Sequence, residues 1–246
     1  MNFDRLIERR GTDCAKYDAY AEHGYKADIL PLWVADMDFQ APQCVMEALH
    51  AAVDHGIFGY SIRSESYVPA LQAWFSKHFH WDIEPQWLLN TPGVVFALSA
   101  AVRAATEPGE NVLVLPPVYY PFNRVIVDND RKIVKSELTY ENGRYTMNFS
   151  DIEQKIVQNS VKALIFCSPH NPVGRVWTLE ELQTLGAICK KHGVTVISDE
   201  IHCDFTWPGV THTPFPVACP EMADSTINDL CKMALENSGN YYDFFE

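Results

Sequence analysis

Two short apolar runs with one helix-period segment between them dominate the pattern of this chain. Ala163-Leu164-Ile165-Phe166 and Val194-Thr195-Val196-Ile197 each run into polar residues and read as buried strands. Between them Leu179, Leu182, Leu185, Gly186 and Cys189 recur at helical spacing. Thr178 followed by Glu181 is a capping-box signature, and Gly193 is placed to stop the helix. A strand–helix–strand unit predicts two parallel strands, neighbouring or close, whose polar ends share the carboxyl edge of one sheet.

The rest of the chain repeats this alternation. Pro42 to His55 predicts a helix with Val45, Met46, Leu49 and Val53 on one face. Tyr67 to Phe79 predicts a second, with Leu71, Trp74, Phe75 and His78 as its core stripe. A third opens at Thr91-Pro92-Gly93 and runs to about Thr106, with small residues suited to close packing on a sheet. Asn111–Leu115 and Lys132–Leu138 read as strands, Asn142-Gly143 as a tight turn, and Phe149–Gln158 as a helix capped by Ser150. The alternation predicts an α/β fold, a mostly parallel sheet with helices on both faces.

Composition narrows the function classes. The 246 residues are 47% hydrophobic, as in ordinary globular proteins, and carry a net charge of −13, which argues against nucleic acid and anionic membrane as partners. No apolar run is long enough to span a bilayer, and MNFDRLIERR has no signal-peptide core. Seven cysteines with no C-x-x-C pair argue against a disulfide framework or zinc ribbon, so a reducing cytoplasm is the expected location.

The candidate chemistry sits where the strands end. After the first run come Ser168-Pro169-His170-Asn171-Pro172-Val173-Gly174; after the second, Ser198-Asp199-Glu200-Ile201-His202. Asn171 offers an amide between two prolines, and His202 an imidazole. Asp199 carries a negative charge into a buried place, where a carboxylate needs a cationic partner. A protonated pyridine nitrogen would serve, with an amide or imidazole on a phenolic oxygen of the same ring: the needs of pyridoxal phosphate. Gly93 lets the backbone approach a ligand, and the amides that follow it, at Val94 and Val95, favour an anion.

SPHNPVGRVW followed by VISDEIH resembles the fold type I pyridoxal-phosphate enzymes, the class I/II aminotransferase superfamily. Within it the closest likeness is to the cysteine-S-conjugate (cystathionine) β-lyases. LPLWVADMDF, FGYS and PPVYYPF agree. The resemblance implies the large domain of that fold and pyridoxal 5′-phosphate as cofactor. The phosphate would lie on Gly93, Val94 and Val95, with Tyr119 stacked on the ring, and with Asn171, Asp199 and His202 around it. Tyr60 would reach the phosphate of the neighbouring subunit, which makes a homodimer part of the site. The substrate would be a small amino acid. Aminotransferases of the superfamily usually carry Tyr where this chain has His202, so a C–S β-lyase is expected first, an aminotransferase second. Asp36 and Asp38 read by themselves as turn formers and helix caps; in the family their segment passes near the substrate.

The resemblance stops at about residue 227. The family's lysine bonds the cofactor aldehyde from a Ser-x-Ser-Lys or similar motif after the segment here written Ala223–Ile227, and this chain has no such motif. Lys232 stands two residues early in a helix-like, acidic context, which argues against that role. The expected division is residues 1–45 as an N-terminal arm and part of the small domain, 46–227 as a large domain incomplete at its C-terminus, and 228–246 as a divergent tail. A catalytically dead relic or dimer partner is therefore a further reading. A metal site on Asp199, His202, Asp204 and His212 is the weakest, because the resemblance already accounts for the first and second.

Overall fold

In a computed structural model, residues 3–26, 28–60 and 62–229 are described. The chain divides into two compact units, Met1–Gly59 and Tyr60 onward.

The first unit holds helix α1 (Ala15–Asp18) and helix α2 (Gln43–His55). Asp18 closes the turn before α1 by accepting from the amides of Gly11 (2.9 Å), Thr12 (3.1 Å) and Cys14 (3.1 Å), which holds its pKa below the usual carboxylate range. Asp36 and Asp38 do not cap α2, whose N-cap is Pro42. Both meet Arg9, and Lys16 donates to the Asp36 carbonyl at 2.9 Å and to Asp38 at 3.2 Å. The apolar face expected on α2 is present in sequence but uncovered: none of its residues is buried.

The second unit is built on one parallel sheet. Its helices are α3 (Tyr67–Phe79), α4 (Val94–Ala105), α5 (Pro121–Asp128), α6 (Phe149–Asn159), α7 (Leu179–His192) and α8 (Phe215–Ala218). Its strands are β1 (Asn111–Val114), β2 (Lys132–Lys135), the hairpin β3 (Thr139–Glu141) and β4 (Arg144–Thr146), β5 (Ala163–Cys167), β6 (Thr195–Asp199) and β7 (Thr226–Asp229). The sheet order is β2-β1-β5-β6-β7, every pair parallel. β5 and β6 are direct neighbours, with Cys167 opposite Asp199. β7 carries the sheet two residues past the expected boundary at 227, by pairing with β6.

Strand alternation sorts the core into two layers. Val112, Val114, Ala163, Ile165, Cys167 and Ile197 pack with Leu98, Val102, Phe122 and Ile126 of α4 and α5. Leu113, Leu164, Phe166 and Val196 pack with Ile152, Ile156, Leu182, Leu185 and Phe215 on the other face. Burying Phe166 completely contributes about 2–3 kcal/mol of transfer free energy.

Local signals explain the element ends. Thr178 and Glu181 form the complete capping box of α7, and Gly193 ends it with φ 65°. Asn142 and Gly143, both at positive φ, turn β3 into β4. The N-cap of α6 is Asn148 rather than Ser150: its side chain accepts from the Asp151 amide at 3.1 Å. The buried stripe of α3 is Leu71, Phe75 and Phe79. Trp74 and His78 fall outside it, their rings tilted against each other at 4.0 Å on the exposed side, with Trp74 Nε1 donating to Asp204 at 3.1 Å. Trp74 thus keeps its indole N–H bonded on that side, as a Trp whose ring is partly exposed can.

Candidate functional site

The order of the strands locates the crevice. β1 connects outward to β2, while the chain returns on its other side as β5 and continues to β6 and β7. The loops that leave β1 and β5 therefore diverge, and open parallel sheets bind ligands at such a point. The β1 loop carries Tyr119, and the β5 loop carries Asn171. Asp199 ends β6, and His202 lies in the turn after it.

Asp199 is the centre of this edge. It has the parity of Ile197, so its side chain leaves β6 on the α4–α5 face. It is 2% exposed. One carboxylate oxygen accepts from the Ile201 amide at 3.2 Å, and among the described residues it makes no ion pair. Burial pushes its pKa up to about 6, with neighbouring Glu200 adding to the rise and the Ile201 amide opposing it.

Three residues share its face of the sheet. Cys167, beside it in register, donates to the Pro169 carbonyl and accepts from the Asn171 amide, both at 3.4 Å. Burial raises the Cys167 thiol far above its usual pKa, and the Asp199 charge adds to the rise. Tyr119 is half-buried against the same core, with its own pKa raised first by burial, then by Tyr120 and by Asp199. Val94 packs on that core too, which brings the start of α4 to this edge. Gly93 caps α4 without a side-chain cap, and a Cβ there would meet nothing within 4 Å. The amides of Val94 and Val95 have no acceptor inside the helix.

The residues proposed from sequence thus divide. Gly93, Val94, Val95, Tyr119, Asn171, Asp199 and His202 lie at the carboxyl edge of one sheet. Tyr60 opens the second unit, 83% exposed; its implied role crosses a subunit boundary that one chain does not contain. Lys232 lies outside the described residues. His212 does not join Asp199 and His202: its Nε2 meets Glu200 at 2.7 Å.

Sequence reading passed over two buried polar residues. Glu200, the residue after β6, turns to the opposite face from Asp199. It accepts from Ser198 Oγ (2.8 Å), the Phe215 amide (2.8 Å) and Asn228 Nδ2 (2.9 Å). His170 is 1% exposed and bonds the Pro117 carbonyl from Nε2 at 3.0 Å. Strand parity was a signal for Glu200; Ser198 among its partners is local, whereas His212, Phe215 and Asn228 come from later segments.

The buried carboxylate with no cationic partner among the described residues, the open backbone at Gly93 and the Tyr119 ring on the same face of the sheet fit a flat, cationic, phosphate-bearing ring. The family model for aminotransferases of class I and II matches residues 27–226, and the chain belongs to that family. Cystathionine beta-lyase PatB of Bacillus subtilis is 45% identical over 227 residues, 92% of this chain and 59% of PatB. Cystalysin from Treponema denticola, whose crystal structure contains a pyridoxal 5′-phosphate cofactor, is 40% identical. The match has a TM-score of 0.85 and covers 92% of this chain and 58% of cystalysin. The PLP-bound C-S lyase from Staphylococcus hominis is 36% identical with a TM-score of 0.86, over 93% of this chain and 58% of that one. The chain spans less than two thirds of the length of each of these relatives.

Proposed function

We propose that this chain binds pyridoxal 5′-phosphate at the carboxyl edge of its sheet, as the cofactor-holding part of a C–S β-lyase for cysteine conjugates such as cystathionine. The observation that carries the reading is Asp199, a buried carboxylate with no cationic partner among the described residues, beside an aromatic ring and an open helix N-terminus. The similarity to PatB, cystalysin and the S. hominis lyase supports it.

Each residue has a task in this reading. Asp199 holds the proton on the ring nitrogen through a charge-assisted hydrogen bond. Tyr119 covers one face of the ring and keeps water from it. Asn171 and His202 hold the phenolic oxygen. Gly93, Val94 and Val95 offer backbone to the phosphate, with Tyr60 of a second copy completing it in a homodimer. Bound pyridoxal phosphate supplies an electron sink for the charge left when an amino acid loses its α-proton. We read the unit that opens at Tyr60 as the core of the cofactor-binding domain expected over residues 46–227, with 1–45 contributing to a smaller one. We place the protein in the cytoplasm, in keeping with its free cysteines at positions 14, 44, 167, 189, 203 and 219.

The test is an absorbance titration with pyridoxal phosphate, followed by borohydride reduction, peptide mapping and an assay of thiol release from cystathionine. The expected result is saturable binding, no pyridoxyl group on Lys232, and turnover at least about a hundredfold below a complete relative, the usual contribution of a positioned acid–base group. A titration without saturation would contradict the cofactor assignment. Full-rate cleavage with Lys232 modified would contradict the reading of that lysine.

A further inference from the structure

The loops after β1 and β5 are the two that diverge at the switch point, yet one buried side chain joins them. His170 follows β5, immediately before Asn171. Its Nε2 lies 3.0 Å from the carbonyl oxygen of Pro117, two residues before Tyr119. A carbonyl only accepts, so Nε2 carries the hydrogen and Nδ1 carries the lone pair. Nδ1 is buried and has no hydrogen-bond partner within bonding geometry among the described residues. The imidazole therefore ties the two loops in a fixed tautomer.

The rest of the residue is held from the other side. Its amide donates to the Arg175 carbonyl and its carbonyl accepts from the Gly174 amide, both at 2.8 Å. Its ring meets the face of Trp177 edge-on at 5.4 Å, and Trp177 Nε1 donates to the Cys167 carbonyl at 3.0 Å. The Tyr119 loop is held by packing of Val118 and Tyr119 on the α4–α5 core and by the Tyr119 carbonyl, which accepts from the Phe122 amide at 3.2 Å. Pro116 and Pro117 lend no second N–H to any ladder beyond their carbonyls, since neither residue has an amide hydrogen. The Pro116 carbonyl accepts from the Leu138 amide at 2.7 Å, and the Pro117 carbonyl goes to His170.

We propose that His170 is a positioning residue that ties the Tyr119 loop to the Asn171 loop, so that the stacking ring and the amide address one ligand ring together. The last clause of this inference rests on the pyridoxal-phosphate reading; the tether itself does not. Burial pushes the His170 pKa down to about 4, so the imidazole stays neutral in the form the tether requires.

His170→Phe keeps a ring against Trp177 and removes the donor, while His170→Gln keeps a donor of similar reach. Hydrogen exchange of segment 116–123 without cofactor reads the tether, and the pyridoxal-phosphate dissociation constant reads its consequence. The expected result is faster exchange in His170→Phe and near-native exchange in His170→Gln. Cofactor binding should weaken about three- to tenfold in His170→Phe, the range of one hydrogen bond. In a Tyr119→Ala background the same change should have less than about a twofold effect, because coupled residues are not additive. Unchanged exchange in His170→Phe, a Gln variant that behaves like Phe, or equal losses with and without Tyr119 would each overturn the proposal. A native chain that shows the tether by exchange but binds no pyridoxal phosphate would overturn the cofactor reading instead.

Discussion

Asp199→Asn separates what the site costs the fold from what it does for a ligand. The native carboxylate is 2% exposed and lacks a cationic partner among the described residues. A rise in pKa from 3.8 to about 6 corresponds to about 3 kcal/mol against the ionised form at neutral pH. The folded carboxyl keeps its proton to higher pH than the unfolded one, so folding takes up a proton between roughly pH 4 and 6. The destabilisation is absent below pH 4, grows through that window, and is complete above about pH 6. Asparagine keeps an acceptor for the Ile201 amide and removes the charge. Without cofactor, Asp199→Asn should be about 2–3 kcal/mol more stable than the native chain at pH 7.5. The gain should fade to nothing by about pH 4. Protonation of His170, whose pKa is depressed to about 4, weakens both proteins as pH falls below its unfolded value and cancels in the difference. The assay is urea unfolding of both proteins at pH 7.5, 5.5 and 4. An Asn variant no more stable at pH 7.5, or a gain that persists at pH 4, would refute the reasoning.

Gly186 lies where a Cβ would come within 2.5 Å of Cys219 Sγ, so Gly186→Ala should destabilise by about 1–3 kcal/mol in thermal melts. Cys219→Ala, which removes that sulfur, should recover part of the loss when combined with it; full additivity would count against the contact. Asn148→Ala should cost about 1 kcal/mol through the lost cap of α6, whereas Ser150→Ala should stay within about 0.5 kcal/mol, as denaturant midpoints would show.

Much of the sheet was legible because independent signals agreed. For α7 the apolar period, the Thr178–Glu181 box and Gly193 all fix one helix, and that helix dictates the parallel pairing of β5 and β6. Where one signal stood alone, packing decided. Trp74 and His78 share the helical period of α3 with Leu71 and Phe75, but they lie on its exposed side against each other, with the Trp74 indole N–H on Asp204. α5 is eight residues opening with Pro121, too short for its period to announce a helix, and was passed over. Asn148 and Ser150 are both good cap residues, and sequence alone does not say which one the backbone enters through. At the site, the positions of Asp199 at the end of β6 and of Asn171 in the loop after β5 could be read from the pattern. The partners of Glu200 and His170 could not, because His212, Phe215, Asn228 and Pro117 arrive from segments far away in sequence.

The central claim is that Asp199 holds the ring of pyridoxal phosphate, and equilibrium binding tests it most directly. Dissociation constants should be measured for the native chain, Asp199→Ala and Asp204→Ala. Asp204 is the control, a nearby acidic residue whose carboxylate accepts from Trp74. A charge-assisted hydrogen bond of about 1.5–3 kcal/mol predicts binding at least about tenfold weaker in Asp199→Ala and unchanged in Asp204→Ala. Equal losses in the two variants, or none in Asp199→Ala, would contradict the account.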